Sequence, residues 1–581
     1  MHSRTGKPTK KKLVIVGGVA GGMSAAARAR RLSEDSEIIV LERNGYVSFA
    51  NCGLPYFLGK EIENHDDLIV MTPDALKQRF NLDIRIHNEV VDIDPQAKLV
   101  TVKNRITLEI YNESYDDLIL AVGAAPIRPT IPGIDLPGLF ALWSIEELDA
   151  IESWLEEVKP ATVVVAGGGF VGLETAEQLA RRGLKVTIID GQNQVLKTLD
   201  PEMAQLIHQE LDQHGVALVL ESPIKEFCAP AKQKGVEPEP KSCWVVAGDH
   251  EPIAADLVVL GLGIRPEVGL ARNAGLTIGE LGGIRVDEFL QTSAKNVWAL
   301  GDVIEVLHPV SKQWARIALA GPANRQGRIV ADNIFAAKES YGGTLGTAIL
   351  RVFDLAVAST GLNEEQLKLA GVPYEAVHLH PTNHASYYPG AEKLTMKVIF
   401  HCESGLLLGA QVIGKEGVDK RIDVISTAIK AGLTIRDLAE LELAYAPPFG
   451  SAKDPINLAG MVGTNVFEGL IEQIQWQEVS TLTLENFCLL DVRSLKEREN
   501  GYVPNSMHIP LPELRERLTE IPVQKTIVVY CQSGQRSYNA TRLLTQNGFT
   551  VKNLSGGYLT WHSATTQIVP VVANSKVPIP S

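Results

Sequence analysis

Cysteine is scarce in this sequence: there are six in 581 residues, at positions 52, 228, 243, 402, 488 and 531, with no Cys-x-x-Cys pair among them. That excludes a disulfide framework and fits a reducing compartment, so a cytoplasmic location is expected. Metal-ligand spacing is missing too, even at His401 beside Cys402, and no metal site is expected. No apolar run approaches the ~18 residues of a membrane span. The basic stretch from Met1 to Lys12 is followed by the short apolar run Leu13 to Val16 and then glycines, which is not a signal peptide. Cationic excess is lacking as well: 55 Lys and Arg stand against 69 Asp and Glu, a formal charge of −14. Nonspecific partnership with nucleic acid or an anionic membrane is therefore not expected.

What is present is material for several cores. Hydrophobic residues make up 45% and charged residues 21%, the composition of an ordinary globular protein. At roughly 150 residues per domain the length suggests about four domains. The stretch KKLVIVGGVAGGMSAAARARRLSEDSEIIVLER reads as strand, glycine turn, helix and strand. A second copy, ATVVVAGGGFVGLETAEQLARRGLKVTIID, begins about 150 residues later. Further buried strands ending in glycine turns follow in DLVVLGLGIRP and NVWALGDV, so the first domain is expected to resume after the second. From about residue 345 the pattern becomes a mixed α+β unit, and a fresh α/β pattern starts at FCLLDVRS. The Pro- and Ser-containing end, TTQIVPVVANSKVPIPS, reads as a loose tail.

The second glycine turn, Gly167-x-Gly169-x-x-Gly172, follows a strand, opens a helix, and is followed 18 residues later by Asp190 at the next strand end. Such glycines permit a tight turn and close approach of backbone to a pyrophosphate, and a carboxylate at that strand end accepts from a ribose 2′-OH. A 2′-phosphate would be repelled there, which favours NADH over NADPH. In the first turn Gly17 and Gly22 occupy the outer glycine positions, Val19 replaces the middle one, and Glu42 stands 20 residues after Gly22. One nicotinamide does not need two such folds. Together with Asp302 after a third apolar strand, they point to a flavin on the first fold and nicotinamide on the second.

These residues carry a resemblance. Gly17-Gly-Val-Ala-Gly-Gly22, Ser48-Phe-Ala-Asn-Cys52, Ala121-Val-Gly-Ala-Ala-Pro126, Ala299-Leu-Gly-Asp302 and Tyr445-Ala-Pro-Pro resemble the FAD-dependent pyridine nucleotide disulfide oxidoreductases, in particular their coenzyme A disulfide reductase branch. The resemblance spans roughly residues 12 to 460. It implies FAD contacts at Gly17, Val19, Ala20, Gly21, Gly22, Glu42, Arg43, Ala121, Gly123, Asp302 and Ala446, and NAD contacts at Gly167, Gly169, Gly172, Asp190 and Gly263. Dithiol members of the superfamily use Cys-x4-Cys, but Val47 and Phe57 stand at the positions a partner would take. A lone cysteine is usually a small buried hydrophobe; in this context Cys52 reads as a nucleophile whose sulfur partner arrives with the substrate as a mixed disulfide. The oxidase and peroxidase branch also uses one cysteine, with a histidine in the first turn where this chain has Ala20, which disfavours oxygen or peroxide as principal acceptor.

The same resemblance implies coenzyme A contacts at Ser24, Arg28, Arg31, Ser48, Asn51, Arg79, Asn324 and Lys453. Arg28 and Arg31, three apart on a helix, share a face and suit the phosphates of an ADP moiety. A histidine frequent in the family is replaced by Asn324, and its lysine near Arg79 is absent. Tyr387 and Tyr445 match tyrosines that reach across a homodimer interface toward the reactive sulfur, where a phenol can protonate a leaving thiol.

The C-terminal unit resembles a rhodanese domain in Leu490-Asp-Val-Arg493, the Gly501 to Pro510 stretch, Cys531-Gln-Ser-Gly-Gln-Arg536 and LSGGYLTW. Converging backbone N–H groups in such a loop depress a thiol pKa, so Cys531 can accept sulfane sulfur, with Arg536 adding positive potential. A phosphatase-like loop would want Cys-x5-Arg, and this one is a residue shorter.

The expected fold is α/β: two Rossmann-like nucleotide-binding domains, an α+β dimerisation domain and an α/β rhodanese domain. The expected boundaries are FAD domain 12–145 and 256–340, NAD domain 146–255, dimerisation domain 345–462, linker 463–475 and rhodanese domain 476–567. The expected activity is FAD-dependent, NAD(P)H-driven reduction of coenzyme A persulfide, polysulfide or disulfide, with NADH the favoured donor. Rival readings are a coenzyme A disulfide reductase with an independent sulfurtransferase tail, an NADH oxidase or peroxidase, and a non-enzymatic redox-sensing flavoprotein.

Overall fold

The computed structural model describes residues 10–229 and 243–566; the proline-containing end beyond residue 566 and the first nine residues, which hold most of the basic stretch, lie outside these. Two units are distinguished. One holds described residues 10–191, 219–229 and 243–344, the other 192–218 and 345–566.

In the first unit the β-branched run Lys12–Val16 forms the middle of a parallel sheet, with Glu37–Leu41 on one side and Asp117–Leu120 on the other. The outer strands are Asp83–Arg85 and Val297–Ala299. The latter comes from beyond the second glycine turn, so the first sheet is assembled from segments that flank the second. Strand residues Leu13, Val14 and Ile15 are fully buried because helices cover the sheet. The helices Ala20–Leu32 and Ala320–Ile334 meet at glycines: a Cβ on Gly327 would lie 2.4 Å from the Gly21 carbonyl oxygen. Small residues thus set how closely the two backbones approach. The second fold repeats the plan with Thr162–Ala166 between Lys185–Ile189 and Leu257–Leu260, all parallel.

The second unit contains an antiparallel sheet in the order Ala348–Val352, Leu355–Gly361, Leu407–Gly414, Leu394–His401 and Tyr374–Leu379. Helix Val418–Ala431 lies on it, and Pro455–Phe467 crosses Ile435–Glu440 so tightly that a Cβ on Gly460 would sit 2.2 Å from the Ala439 nitrogen. A parallel sheet follows in the order Glu472–Ile474, Val551–Leu554, Thr526–Tyr530, Phe487–Asp491 and Met507–His508. Its first strand comes from residues the sequence reading gives to a linker: a three-residue edge strand is too short to carry a period-2 signal. Helix Pro201–Gln213, which follows the second glycine fold in sequence, packs in this unit against helix Gly557–Thr565. Glu202 of the first of these helices belongs to a buried ionic cluster. The Lys397 ammonium donates to Asp200 at 2.8 Å, Glu202 at 2.5 Å and Glu364 at 2.6 Å. Glu202 also meets His378 Nε2 at 2.9 Å and accepts from Trp476 Nε1 at 3.1 Å.

Candidate active site

The two glycine turns are built alike. Gly17 and Gly167 both adopt φ +105°, and a Cβ on either would lie within 2.3 Å of a carbonyl oxygen, of Ala121 and Gly261 respectively. A Cβ on Gly22 or Gly172 would sit 2.0 Å from the carbonyl of the first glycine of its turn. Only glycine fits these positions. Each strand-end carboxylate closes its turn: Glu42 accepts from the Gly18 N–H at 2.9 Å, and Asp190 from the Gly168 N–H at 2.6 Å. Burial holds the Glu42 carboxyl above its ordinary pKa despite the Gly18 and Asn44 donors and nearby Arg43, which itself pairs with Glu267 at 2.6 Å.

The following helices, Ala20–Leu32 and Phe170–Arg181, have no side-chain cap and no acidic residue in the first turn. Their N-terminal N–H groups are left for an anion. A Cβ on Gly169 would meet no protein atom within 4 Å, which is open space where a pyrophosphate approaches. These features fit the two dinucleotides, FAD on the first fold and NAD on the second. The turns at Ala121 to Gly123 and at Gly263 are knitted by antiparallel pairing of Ala124–Pro126 with Ile264–Pro266, and both Gly123 and Gly263 have positive φ. Ala446 lies in a turn of the second unit, its carbonyl accepting from the Phe449 and Gly450 N–H groups.

Cys52 is exposed, in the single turn Asn51–Gly53 that leads into helix Leu54–Leu58. That helix packs against Phe170–Arg181 of the second fold, and Tyr56 donates to Glu174 at 3.0 Å. Partial burial, and then the carboxylates of Glu174 and Asp302, push the Cys52 thiol above its ordinary pKa. Asp302 is itself raised by burial. The chain's own groups therefore keep this sulfur largely protonated at neutral pH. Ser48, at φ +49°, donates its N–H to the Gly18 carbonyl at 2.8 Å and so ties the Cys52 segment to the first turn.

Several proposed coenzyme residues come together. Ser24 and Asn324 hydrogen-bond between the two crossing helices. Arg31 and Arg79 both lie over the Phe80 ring, each 5.4 Å from its centroid. Arg28 and Arg31 stand three apart in helix Ala20–Leu32, and Arg28 has a carboxylate partner. Its guanidinium is forked onto buried Asp332, with a closest approach of 2.6 Å, and that neutralises the charge a phosphate would use. Lys453 is exposed in the other unit, one residue before the cap Asp454 of helix Pro455–Phe467. In that unit Tyr387 and Tyr445 meet hydroxyl to hydroxyl at 3.1 Å, and both are exposed.

Cys531 ends the buried strand Thr526–Tyr530, and Gly534, at φ +96°, opens helix Gln535–Gln546. The Gly534 N–H donates to Cys531 Sγ at 3.2 Å. Behind the loop, Gly557 permits an approach that a Cβ would block, 2.5 Å from the Cys531 carbonyl oxygen, and the Tyr558 N–H donates to that carbonyl at 2.8 Å. The Arg493 fork from the Leu490-to-Arg493 motif is buried on Asp491, at 3.0 and 2.9 Å, and reaches the Gln532 side chain at 3.1 Å. Arg536, expected to add positive potential, is forked onto Glu497 at 2.7 and 2.5 Å. Sequence reading did not find Glu497, which is 39 positions away; the only local signal was its capping box with Ser494.

Comparisons with known proteins bear on this arrangement. The family model described as "Pyridine nucleotide-disulphide oxidoreductase" matches residues 11–327, that family's dimerisation domain matches 347–454, and "Rhodanese-like domain" matches 470–564. A Staphylococcus haemolyticus protein named coenzyme A disulfide reductase is 35% identical over 451 residues, covering 78% of this chain and 98% of the relative. Among solved structures, the reduced Bacillus anthracis CoADR-RHD is 46% identical with a TM-score of 0.93, covering 96% of this chain and 99% of that one. A NAD-dependent persulfide reductase from A. fulgidus is 38% identical with a TM-score of 0.87, covering 95% and 100%. With two dinucleotide cradles, a lone thiol beside them and these matches along its length, the chain belongs to the pyridine nucleotide-disulphide oxidoreductases, and carries a rhodanese domain at its C-terminal end.

Proposed function

We propose that this protein is an FAD- and NADH-dependent reductase of coenzyme A-linked persulfide, polysulfide and disulfide. In this reading Cys52 is the redox thiol and Cys531 the acceptor of sulfane sulfur. The observation that carries it is the pair of thiols, Cys52 exposed at the glycine-turn end of one unit and Cys531 in an N–H-lined loop of the other, with all six cysteines free. A lone thiol cannot be oxidised to an internal disulfide, so with a disulfide or persulfide acceptor it forms a mixed disulfide with its substrate.

Bound FAD would supply the passage of an electron pair from reduced nicotinamide to sulfur. The chain's residues supply the rest. Gly167, Gly169, Gly172 and Asp190 hold the nicotinamide coenzyme, and Asp190 selects the 2′-hydroxyl form. Gly17 to Gly22, Glu42, Asp302 and the Ala121 to Gly123 turn hold FAD. Cys52 attacks the sulfur attached to coenzyme A; the S–S bond of the acceptor breaks and its electron pair leaves on the departing sulfur. Arg28, Arg31 and Arg79, with Ser24, Ser48, Asn51, Asn324 and Lys453, grip the coenzyme. Tyr387 and Tyr445, coupled through their hydroxyls, donate a proton to the leaving thiolate. Cys531 collects sulfane sulfur and loads it onto the coenzyme's thiol. Fusion of the two sulfur sites raises the concentration of one at the other. The matched dimerisation domain supports a homodimer, and the sparse, unpaired cysteines support a reducing cytoplasm.

The test is kinetic. Cys52→Ser should abolish NADH oxidation with both coenzyme A disulfide and coenzyme A persulfide. Cys531→Ser should slow polysulfide turnover at limiting substrate and spare coenzyme A disulfide. Mass spectrometry should find a coenzyme A adduct on Cys52. Persistent turnover in Cys52→Ser would overturn the reading.

A further inference from the structure

The guanidiniums that border the Cys531 loop are already matched by carboxylates. Arg493 is forked onto Asp491 with both side chains fully buried. Arg536, the one arginine inside the motif, is forked onto Glu497 at 2.7 and 2.5 Å, and that carboxylate is the main cause of its raised pKa. The Glu497 carboxyl is pulled down to about 2, mainly by its hydrogen bond from Arg536, so it stays ionised at any pH where the protein works. Glu497 is also fixed from its other side: the Ser494 N–H and hydroxyl donate to its Oε2 at 3.1 and 2.8 Å. The fork is therefore preset, and Arg536 offers the loop little net positive charge. The Gly534 N–H meets the sulfur, and the loop's other residues, Gln532, Ser533 and Gln535, are neutral.

We propose that Glu497 is a donor-selecting residue that, by holding and neutralising Arg536, fits the Cys531 loop to persulfide and polysulfide sulfur and against sulfane sulfur borne on a dianionic oxyanion such as thiosulfate. This rests on the reading of Cys531 as the sulfur acceptor. With a persulfide, the Cys531 thiolate attacks the terminal sulfur of R–S–S–H. A new Sγ–S bond forms, the donor S–S bond breaks with its electron pair on R–S⁻, and the proton stays on the transferred sulfur. With thiosulfate the same attack expels sulfite, SO₃²⁻, and leaves Cys531 as persulfide anion. Neither transfer changes the total number of electrons. They differ in the leaving group: sulfite carries two negative charges out past Glu497, and a thiolate carries one. A dianion is held best by a free guanidinium fork, and here the fork is occupied.

The experiment measures formation of the Cys531 persulfide, as the mass gain of one sulfur atom, in the full-length protein with two donors, thiosulfate and 2-mercaptoethanol persulfide. Glu497→Gln keeps the shape and the Ser494 contacts but removes the charge. The expected result is a rise on the order of tenfold in the ratio of thiosulfate to persulfide kcat/KM, carried mainly by KM for thiosulfate. A merely structural role would slow both donors together and leave the ratio fixed. Should Glu497→Gln misfold, Glu497→Asp, which keeps the charge, and Glu497→Gln/Arg536→Gln, which removes both, bracket the effect; the double variant should return to the low ratio. An unchanged or lower ratio in Glu497→Gln would sink the proposal. Absence of any added sulfur on Cys531 from either donor, with Cys531→Ser behaving like the wild type, would instead strike at the acceptor role of Cys531.

Discussion

At the scale of the residue, the central question is how Cys52 reacts when its surroundings disfavour the thiolate. Partial burial and the neighbouring carboxylates Glu174 and Asp302 raise its pKa, so the thiolate fraction is small at neutral pH and grows as pH climbs through the raised value. A high-pKa thiol is also the better nucleophile once ionised and the poorer leaving group. This favours a mixed disulfide that persists on Cys52 until it is reduced. The charge of Glu174 is the removable part of the shift. Glu174→Gln should bring the Cys52 pKa down and so speed its alkylation by iodoacetamide at pH 8. Alkylation no faster than in the wild type would mean that burial and Asp302 set the shift without Glu174.

At the scale of the element, the glycine turns separate what the fold needs from what the ligand needs. A Cβ on Gly172 collides with the backbone oxygen of Gly167, whereas a Cβ on Gly169 meets no protein atom within 4 Å. Gly172→Ala should therefore lower the melting temperature. Gly169→Ala should leave it unchanged but raise KM for NADH about tenfold, which is about 1.4 kcal/mol of binding. Equal melting losses in the two variants would remove the distinction.

The same contrast explains what was legible in the sequence. Strand, turn and helix at each nucleotide fold lie within some 30 residues, and their glycine and carboxylate spacings are local, so sequence exposes them. Cys531 and Arg536 are likewise local. The partners that decide charge are not: Arg28 finds Asp332 across 304 positions, and Arg536 finds Glu497 across 39. Helix periodicity places Arg28 and Arg31 on a common face, but only the crossing of helices Ala20–Leu32 and Ala320–Ile334 reveals which of the two charges is already matched.

At the scale of the whole molecule, the Lys397 cluster gathers three stretches of chain that sequence order keeps apart: Asp200 and Glu202, then Glu364, His378 and Lys397, then Trp476 and Ser555. Ser555 stands next to the glycines that back the Cys531 loop, and its hydroxyl accepts from the His378 N–H at 3.1 Å. Lys397 is wholly buried, so its ammonium is tolerable only because carboxylates surround it, and they hold its pKa above the ordinary lysine value. Glu202 and Glu364 are depressed below the ordinary carboxylate value against a desolvation that by itself would raise them. Because their folded pKa values are depressed, these two groups contribute stability that is present above their unfolded pKa and lost as pH falls through the folded one. Removing the cation reverses the sign: in Lys397→Met the buried carboxylates are raised, and acid relieves them. The variant should be destabilised by about 3–5 kcal/mol at pH 7, as expected for a buried charge stripped of its partner. The gap between variant and wild type in denaturant or thermal unfolding should narrow steadily from pH 7 to pH 4. A gap that stays constant over that range would mean that Lys397 acts through packing of its aliphatic stem, and that the three stretches are held together by apolar contact and not by charge.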